Sequence, residues 1–313
     1  MTSHLWESYI GCMSDKGRHT WVGWQGLVAV VPTDWSLAAA SGDDKSGYFR
    51  ADSTGTLALE VKWSRAGRQT DLYSKLDGYL NDLRRRARKR KLQFEHKIKP
   101  KDAGTLTFSW RSDRKAQGRL WLCDECSRVV IAQVSGAPSD DVASVASFVL
   151  PSIEDHSDDG WRTWAMYDLV AEVPPGYVLE KHRLMAGYIQ LLFRKRNNRL
   201  LIERWGLANV ALKNTSLREW FAERASQDLR RYRYSVHDVE FEHEAGIQVT
   251  GRRSGLRQAL KSAFELASFR RPALYVDGYV WVCNDSNKIF SVHTMHSRKE
   301  NVLDDVLERV ECH

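Results

Sequence analysis

The chain has 313 residues and a formal net charge of +7, from 47 basic and 40 acidic side chains. Its length corresponds to about two domains of ordinary size. Hydrophobic residues make up 42% and charged residues 28%, a balance that argues against a disordered, collagenous or disulfide-dense protein. The longest purely aliphatic run, residues 27–31, is far shorter than the ~20 apolar residues of a transmembrane helix, so we expect no membrane span.

The cysteines indicate a reducing compartment. Five cysteines are an odd number, which does not favour a set of paired disulfides. Residues 1–11 have no apolar core that would identify a signal peptide. We therefore expect reduced thiols and a cytoplasmic protein.

Short motifs recur along the chain in the same order, which indicates a duplicated domain. The matches are Val31-Pro32 with Val173-Pro174, strands ending at Trp63 and Trp205, residues 82–85 with 228–231, residues 94–96 with 241–243, and residues 121–123 with 281–283. The offset rises slowly along the chain, as small loop insertions would produce. We predict two tandem copies of one domain, residues 1–157 and 158–313, with the recurring tryptophans in their cores.

Copy one has a pattern of strands interrupted by one long helix. Its first apolar strand, residues 24–31, ends at Pro32, which cannot continue a strand ladder. Leu72, Leu76, Leu80 and Leu83 then follow the spacing of a single buried helical stripe. The remaining predicted elements are strands at 47–50, 56–63, 92–96, 105–111, 119–123 and 128–134 and a closing helix at 140–150.

Copy two repeats this order. A helix is predicted to begin after the N-cap Ser216, with Leu217, Phe221, Ala225 and Leu229 on one face. The other predicted elements are strands at 169–173, 188–195, 200–205, 236–243, 246–253, 275–283 and 288–294 and a closing helix at 301–310. Because short turns pair strands antiparallel, the predicted class is α+β, with each copy an antiparallel sheet covered by helices.

Several motifs carry a resemblance to a known family. They are Val31, Pro32 and Trp35, the counterpart Val173, Pro174 and Tyr177, the hairpin Tyr275-Val276-Asp277-Gly278, and Ala146-Ser147-Phe148 in the closing helix. With this order of elements, each copy resembles the Mog1/PsbP/DcrB-like superfamily. The resemblance implies a non-catalytic binding domain that docks on a protein partner.

Positive charge is concentrated at the C-terminal end of the long helix of copy one. The basic residues there are Arg84, Arg85, Arg86, Arg88, Lys89, Arg90 and Lys91. Residues 84–119 hold 14 basic and 3 acidic side chains, whereas residues 137–160 hold six acidic and no basic ones. Two or three cations would suffice to complement a helix C-terminus. The remaining cations suggest a binding role, with a phosphate group, an acidic protein partner or the acidic stretch of this same chain as the partner.

A cysteine pair in copy one has the residue types of a metal site. Cys123 and Cys126 have the C-x-x-C spacing of a zinc knuckle, but the sequence has no second such pair to complete four ligands. Further ligands could come only from Cys12, His156, Cys312 or His313 through long-range folding. Copy two keeps Cys283 and has Ser286 at the second position. We therefore expect a structural hairpin turn with no stoichiometric zinc and no other cofactor.

The dipeptide Glu95-His96 recurs as Glu242-His243. Adjacent side chains of a strand point to opposite faces, so this pattern favours an alternating strand edge over a metal or proton-transfer site.

The sequence contains no G-x-S-x-G elbow, P-loop or G-x-G-x-x-G motif. We therefore expect a non-catalytic binding or scaffold protein that docks on a protein partner. The alternative is a nucleic-acid-associated protein that uses the basic helix end for weak, sequence-independent binding. A third hypothesis is an enzyme with an unrecognised site between the copies.

Overall fold

The computed structural model describes residues 18–102, 104–224, 229–241, 244–254, 273–297 and 301–311. Strands account for 53% of the structure and helices for 17%. The protein is therefore mainly β, and the expected α+β class, with sheets covered by helices, is wrong. No helix among the described residues is both long and apolar enough to cross a membrane.

The chain divides into two compact units, Met1–Val170 and Ala171–His313. The strands of unit 1 are β1 (His19–Trp24), β2 (Leu27–Pro32), β3 (Ser36–Gly42), β4 (Ser46–Asp52), β5 (Ala58–Arg65), β6 (Glu95–Asp102), β7 (Thr105–Arg111), β8 (Lys115–Leu122), β9 (Arg128–Gly136) and β10 (Arg162–Met166). Its helices are α1 (Leu72–Lys89) and α2 (Val142–Val149). The strand β11 (Leu169–Val173) spans the division between the units.

Seven strands of unit 1 form an antiparallel sheet with the order β3-β4-β5-β9-β8-β7-β6. The sheet contains β3, which the sequence did not predict. A second group pairs β1 with β2 and β10. The β1–β2 turn has positive φ angles at Gln25 and Gly26, a conformation suited to a two-residue hairpin.

The long helix of unit 1 forms where the leucine stripe predicted it. Asp71 caps α1 by accepting hydrogen bonds from the backbone N–H groups of Tyr73 and Ser74. Leu76 and Leu80 are fully buried. They pack in one cluster with the buried sheet residues Leu106, Phe108, Leu120 and Val129. The helix is thus fixed against β7, β8 and β9, with its C-terminal turn at the edge of the cluster.

The closing helix leads the chain back to β2. Asp141 caps α2, and α2 packs on β8 and β9. After the helix, Ser152 Oγ accepts from the N–H of Val30 at 3.0 Å and donates to its C=O at 3.2 Å. Glu154 and Val28 then exchange two backbone hydrogen bonds of 2.9 and 3.0 Å. These contacts fix the position of the residues that follow.

Unit 2 has a large sheet of its own. Its strands are β12 (Val178–Met185), β13 (Tyr188–Lys195), β14 (Asn198–Gly206), β15 (Tyr232–Phe241), β16 (Glu244–Arg253), β17 (Tyr275–Cys283), β18 (Lys288–His296) and β19 (Val310–Glu311). Its helices are α3 (Ala208–Ala211), α4 (Leu217–Arg224), α5 (Leu303–Leu307) and a 3-10 turn at Leu229–Arg231. The sheet order is β12-β13-β14-β18-β17-β16-β15, and β19 lies beside β11.

The two large sheets have the same connectivity, since the strands of each occupy equivalent places in the same order. Trp121 lies opposite Val130 in unit 1, and Trp281 lies opposite Phe290 in unit 2. Gly118 faces Gln133, as Gly278 faces His293. A duplication would produce this equivalence, and the two tandem copies stay a prediction. The division at residue 170 lies thirteen residues after the predicted boundary at 157.

Glycine is required in β8 because a side chain there would collide with the core. A Cβ atom on Gly118 would overlap the ring of Phe108 and approach the carbonyl oxygen of Ala132 to 2.7 Å. By contrast, Gly78 in α1 has nothing within 4 Å of such an atom.

We expect Gly118→Ala to lower the free energy of unfolding by about 1–3 kcal/mol through overpacking. Gly78→Ala should raise it by about 0.5–1 kcal/mol because alanine favours the helix. Urea denaturation of both variants beside the parent measures the two changes. A Gly118→Ala protein as stable as the parent would contradict the packing around β8.

A histidine is fully buried in the core of unit 2. His293 has no exposed surface, and neither ring nitrogen has a hydrogen-bond partner among the described residues. Its ring stacks on Phe221 at a centroid distance of 5.5 Å. Burial lowers the pKa of His293 from 6.5 to about 3, so the side chain is neutral in the folded protein at neutral pH.

Because the pKa of His293 is lower in the folded than in the unfolded state, the unfolded chain takes up the extra proton first. The contribution of the neutral His293 side chain to the free energy of unfolding is therefore complete above about pH 6.5 and declines as the pH falls. We expect a loss of about 1 kcal/mol from this residue between about pH 7 and pH 5.5. His293→Gln should reduce the measured pH dependence by that amount, whereas the exposed His237→Gln should leave it unchanged. Equal slopes for parent and His293→Gln would show that His293 titrates normally.

Candidate functional site

The predicted basic cluster occupies the last turns of α1 and the residues just beyond it. Three of its members have partners within unit 1. Arg84 donates to Asn81 Oδ1 at 2.8 Å and lies 3.1 Å from His96 Nδ1. Arg85 pairs with Asp82, and Arg90 pairs with Asp113 at 2.7 Å.

The other four cations of the cluster project into solvent. Arg86, Arg88, Lys89 and Lys91 are exposed, and none forms an ion pair with a carboxylate in the described part of the chain. The helix ends at this point because Lys91 has a left-handed φ of 58°, a usual way for a helix to terminate. The cations nearest the terminus complement its free carbonyl groups.

The β7–β8 turn extends this charge. The ion pair between Arg90 and Asp113 holds the end of α1 beside the turn. Arg111 is exposed there, and Arg114 donates to the carbonyl oxygen of Thr56 at 2.6 Å. We call the seven cations of residues 84–91 together with Arg111 and Arg114 the basic surface. Arg111 and Arg114 belong to the excess of positive charge found at residues 84–119 of the sequence. Only the pairing of β7 with β8 shows that they lie beside the end of α1.

The acidic stretch at residues 137–160 has other partners. Asp140 accepts from the backbone N–H of Ala137 at 2.6 Å and from the hydroxyl of Thr56, and these hydrogen bonds lower the pKa of its carboxyl. Asp141 caps α2. The nearby cations Arg114 and Lys115 also lower the pKa of Asp140. The described ion pairs of the α1 end go to Asp82 and Asp113, so the acidic stretch interacts with the β7–β8 turn and not with the cations of α1.

The C-x-x-C motif forms the turn between β8 and β9, where the sequence predicted a hairpin. The N–H of Cys123 donates to the carbonyl of Arg128 at 2.9 Å, and the N–H of Ser127 donates back to Cys123 at 3.0 Å. Ser127 has a left-handed φ of 54°. This tight turn directs both cysteine side chains toward the segment that follows α2.

Two residues of that segment complete a group of four potential metal ligands. Cys123, Cys126, Asp155 and His156 place one donor atom each within 4.8 Å of all the others. Cys123 Sγ lies 3.2 Å from His156 Nε2, and Cys126 Sγ lies 3.8 Å from Asp155 Oδ2. His156 Nε2 lies 3.6 Å from Asp155 Oδ1. We call these residues the cysteine cluster.

The surroundings of the cysteine cluster are partly buried and charged. Burial raises the pKa of the Cys126 thiol to about 12, and the nearby carboxylate of Asp155 acts in the same direction. Trp121 Nε1 donates to Asp155 Oδ2 at 3.3 Å. Arg128 is only 7% exposed and donates to the backbone oxygens of Asp155 and Gln25. Burial lowers the pKa of this guanidinium.

A cleft of about 190 Å³ opens beside the cysteine cluster. Its walls include Cys126, Asp155 and His156 together with the three arginines Arg65, Arg128 and Arg162. The cleft therefore gives solvent access to one side of the cluster.

The sequence points to three of the four members of this cluster. The C-x-x-C spacing marks Cys123 and Cys126, and His156 is among the residues that only long-range folding could bring to them, whereas nothing distinguishes Asp155 from the other acidic residues around it. No spacing rule joins Asp155 and His156 to the cysteines, because their position depends on the pairing of Glu154 with Val28. In the described part of unit 2 no comparable group of ligands is present.

The recurring Glu-His dipeptide does not form a site in unit 1. Glu95 is exposed and His96 is half-buried, with the His96 ring 6.0 Å from that of Phe94. Glu242 and His243 lie outside the described residues.

Comparisons with known proteins identify no family. No family model matches the chain, and no curated protein matches it. Among solved structures, the apo immunity protein TplEi of the T6SS from Pseudomonas aeruginosa has 10% identity and a TM-score of 0.33, with 95% of this chain and 98% of that chain covered. DynU16, a putative protein of the dynemicin biosynthetic locus, has 10% identity and a TM-score of 0.15, covering 87% and 79%. Similarities of this size carry no argument about fold or function, and the resemblance to the Mog1/PsbP/DcrB-like superfamily stays a prediction.

Proposed function

We propose that the chain is a binding protein that docks an acidic protein partner through the basic surface of unit 1. The observation that carries the proposal is a set of exposed cations that form no ion pair with a carboxylate of the described residues, namely Arg86, Arg88, Lys89 and Lys91. The first three lie on α1 and Lys91 lies just beyond it. Because Leu76 and Leu80 of α1 are fully buried, the backbone of the helix is fixed before any partner arrives.

Helix stability alone does not account for this concentration of charge. A cation in the last turn of a helix contributes about 0.3–1 kcal/mol, and the effect falls off within one turn. Further cations mainly repel one another at similar cost. An acidic surface would relieve that repulsion and accelerate association through electrostatic attraction.

The mixed signs of the basic surface favour a protein over a nucleic acid. Asp82 and Asp113 lie among the cations, with Asp82 54% exposed at its side chain. A phosphate backbone presents negative charge alone and would meet both carboxylates unfavourably. A protein surface carries both signs and can pair with them. The nearby aromatic rings of Phe94 and Trp110 are half-buried, stack on each other at 5.8 Å and pack against the core, which reduces the ring area that they present to a base.

The thiols support the finer proposal of a cytoplasmic protein. Cys123 and Cys126 form no disulfide, although they lie in the same tight turn. Free thiols in such an arrangement are typical of a reducing compartment.

The proposal is tested by removing three of the unpaired cations. We expect Arg86→Gln, Arg88→Gln and Lys89→Gln together to weaken binding to a glutamate-rich peptide about tenfold, a loss of about 1.4 kcal/mol. Fluorescence anisotropy with the labelled peptide at two salt concentrations measures the change. The matched control replaces three exposed lysines outside the basic surface, Lys75, Lys181 and Lys213, with Gln and should bind as the parent does.

A duplex DNA probe at the same salt separates the two classes of partner. Tighter binding to DNA than to the peptide, with a salt slope that falls by about 0.9 for each cation removed, would replace the protein partner with a nucleic acid. Equal loss in the control variant would mean that net charge alone, and not this surface, attracts the probes.

A further inference from the structure

We infer that Cys123, Cys126, Asp155 and His156 bind one zinc ion, which fastens the β8–β9 turn to the segment after α2. The inference is independent of the acidic partner. The expectation of no zinc rested on the absence of a second ligand pair, and Asp155 and His156 supply that pair in space.

The distances within the cysteine cluster fit tetrahedral zinc. With Zn–S of about 2.3 Å and Zn–N or Zn–O of about 2.0 Å, neighbouring ligand atoms of a tetrahedron lie about 3.3–3.8 Å apart. The cluster has 3.2 Å between Cys123 Sγ and His156 Nε2. It has 3.6 Å between His156 Nε2 and Asp155 Oδ1, and 3.8 Å between Cys126 Sγ and the other oxygen of that carboxylate. Binding therefore requires only small side-chain movements.

The groups behind the ligands are placed as a zinc site needs. His156 Nδ1 faces the carbonyl oxygen of Ser157 at 3.4 Å, so a proton on Nδ1 can be donated there while Nε2 keeps its lone pair for the metal. Trp121 Nε1 donates to Asp155 Oδ2, the oxygen that Cys126 Sγ also approaches, whereas Oδ1 lies toward His156 Nε2. The contacts of His156 Nδ1 and Trp121 Nε1 orient the two ligands and leave His156 Nε2 and Asp155 Oδ1 available to the metal.

The buried Arg128 lies beside two of the proposed ligands. Its guanidinium is 7% exposed, and burial lowers its pKa, whereas the nearby Cys126, Asp155 and Asp44 act in the opposite direction. Two thiolates and one carboxylate around a divalent zinc carry a net charge of about −1. Such a centre beside Cys126 and Asp155 would compensate the buried cation.

The ligand types select zinc among the common cations. Thiolate sulfur is a soft ligand that magnesium and calcium disfavour, whereas two thiolates with one imidazole and one carboxylate are typical of zinc. Four protein ligands fill a tetrahedral shell and leave no open position for a substrate. The site is thus structural rather than catalytic, and the cleft beside it gives the ion a path of entry.

Metal analysis of the full-length protein tests the inference. We expect Cys126→Ser and His156→Gln each to lose about one equivalent of zinc relative to the parent, as measured by mass spectrometry of protein purified without chelator. Asp124→Asn changes an exposed residue of the same turn and should retain the parent's zinc. Zinc contents that are equal in the parent, Cys126→Ser and His156→Gln would overturn the assignment.

A second measurement covers variants that fail to fold. The parent, stripped with a chelator and titrated with cobalt, should develop thiolate-to-cobalt charge-transfer absorption that zinc abolishes, and zinc should raise its thermal midpoint. A folded, stripped parent that takes up neither metal would overturn the inference.

Discussion

The return of the chain to β2 after α2 determines where the cysteine cluster of unit 1 forms. Glu154 and Val28 exchange two backbone hydrogen bonds, and Ser152 Oγ bonds both the N–H and the C=O of Val30. Buried backbone groups left without partners would cost about 1–3 kcal/mol each, so this pairing is strongly specified. Because the pairing with Val28 fixes the position of Glu154, the next two residues, Asp155 and His156, lie beside the β8–β9 turn. The cysteine cluster is thus a consequence of strand pairing between distant parts of the sequence.

The basic surface and the cysteine cluster lie on different elements of unit 1. The basic surface depends on α1, whose leucine stripe packs on β7, β8 and β9. The cysteine cluster depends on the opposite end of β8 and on the segment after α2. Charge can therefore change on α1 without disturbing the four potential ligands, and each proposal can be tested separately.

The sequence predicted the elements whose signal is local. The spacing of Leu76 and Leu80 specified α1, and C-x-x-C specified a turn. It missed β3 because that strand is rich in alanine and serine, which have little β propensity, and its place is set by pairing with β4. It overestimated the helical content because unit 2 has only short helices, such as Leu217–Arg224, among its described residues. Asp155 and His156 required tertiary structure, since no local pattern links them to Cys123.

Zinc X-ray absorption spectroscopy on the purified protein shows whether the chain's return to β2 assembles one metal site from two separate segments. We expect a first shell of two sulfur atoms at about 2.3 Å and two nitrogen or oxygen atoms at about 2.0 Å. A shell of four sulfur atoms, a shell of nitrogen and oxygen alone, or the same two-sulfur spectrum in His156→Gln would contradict this assembly.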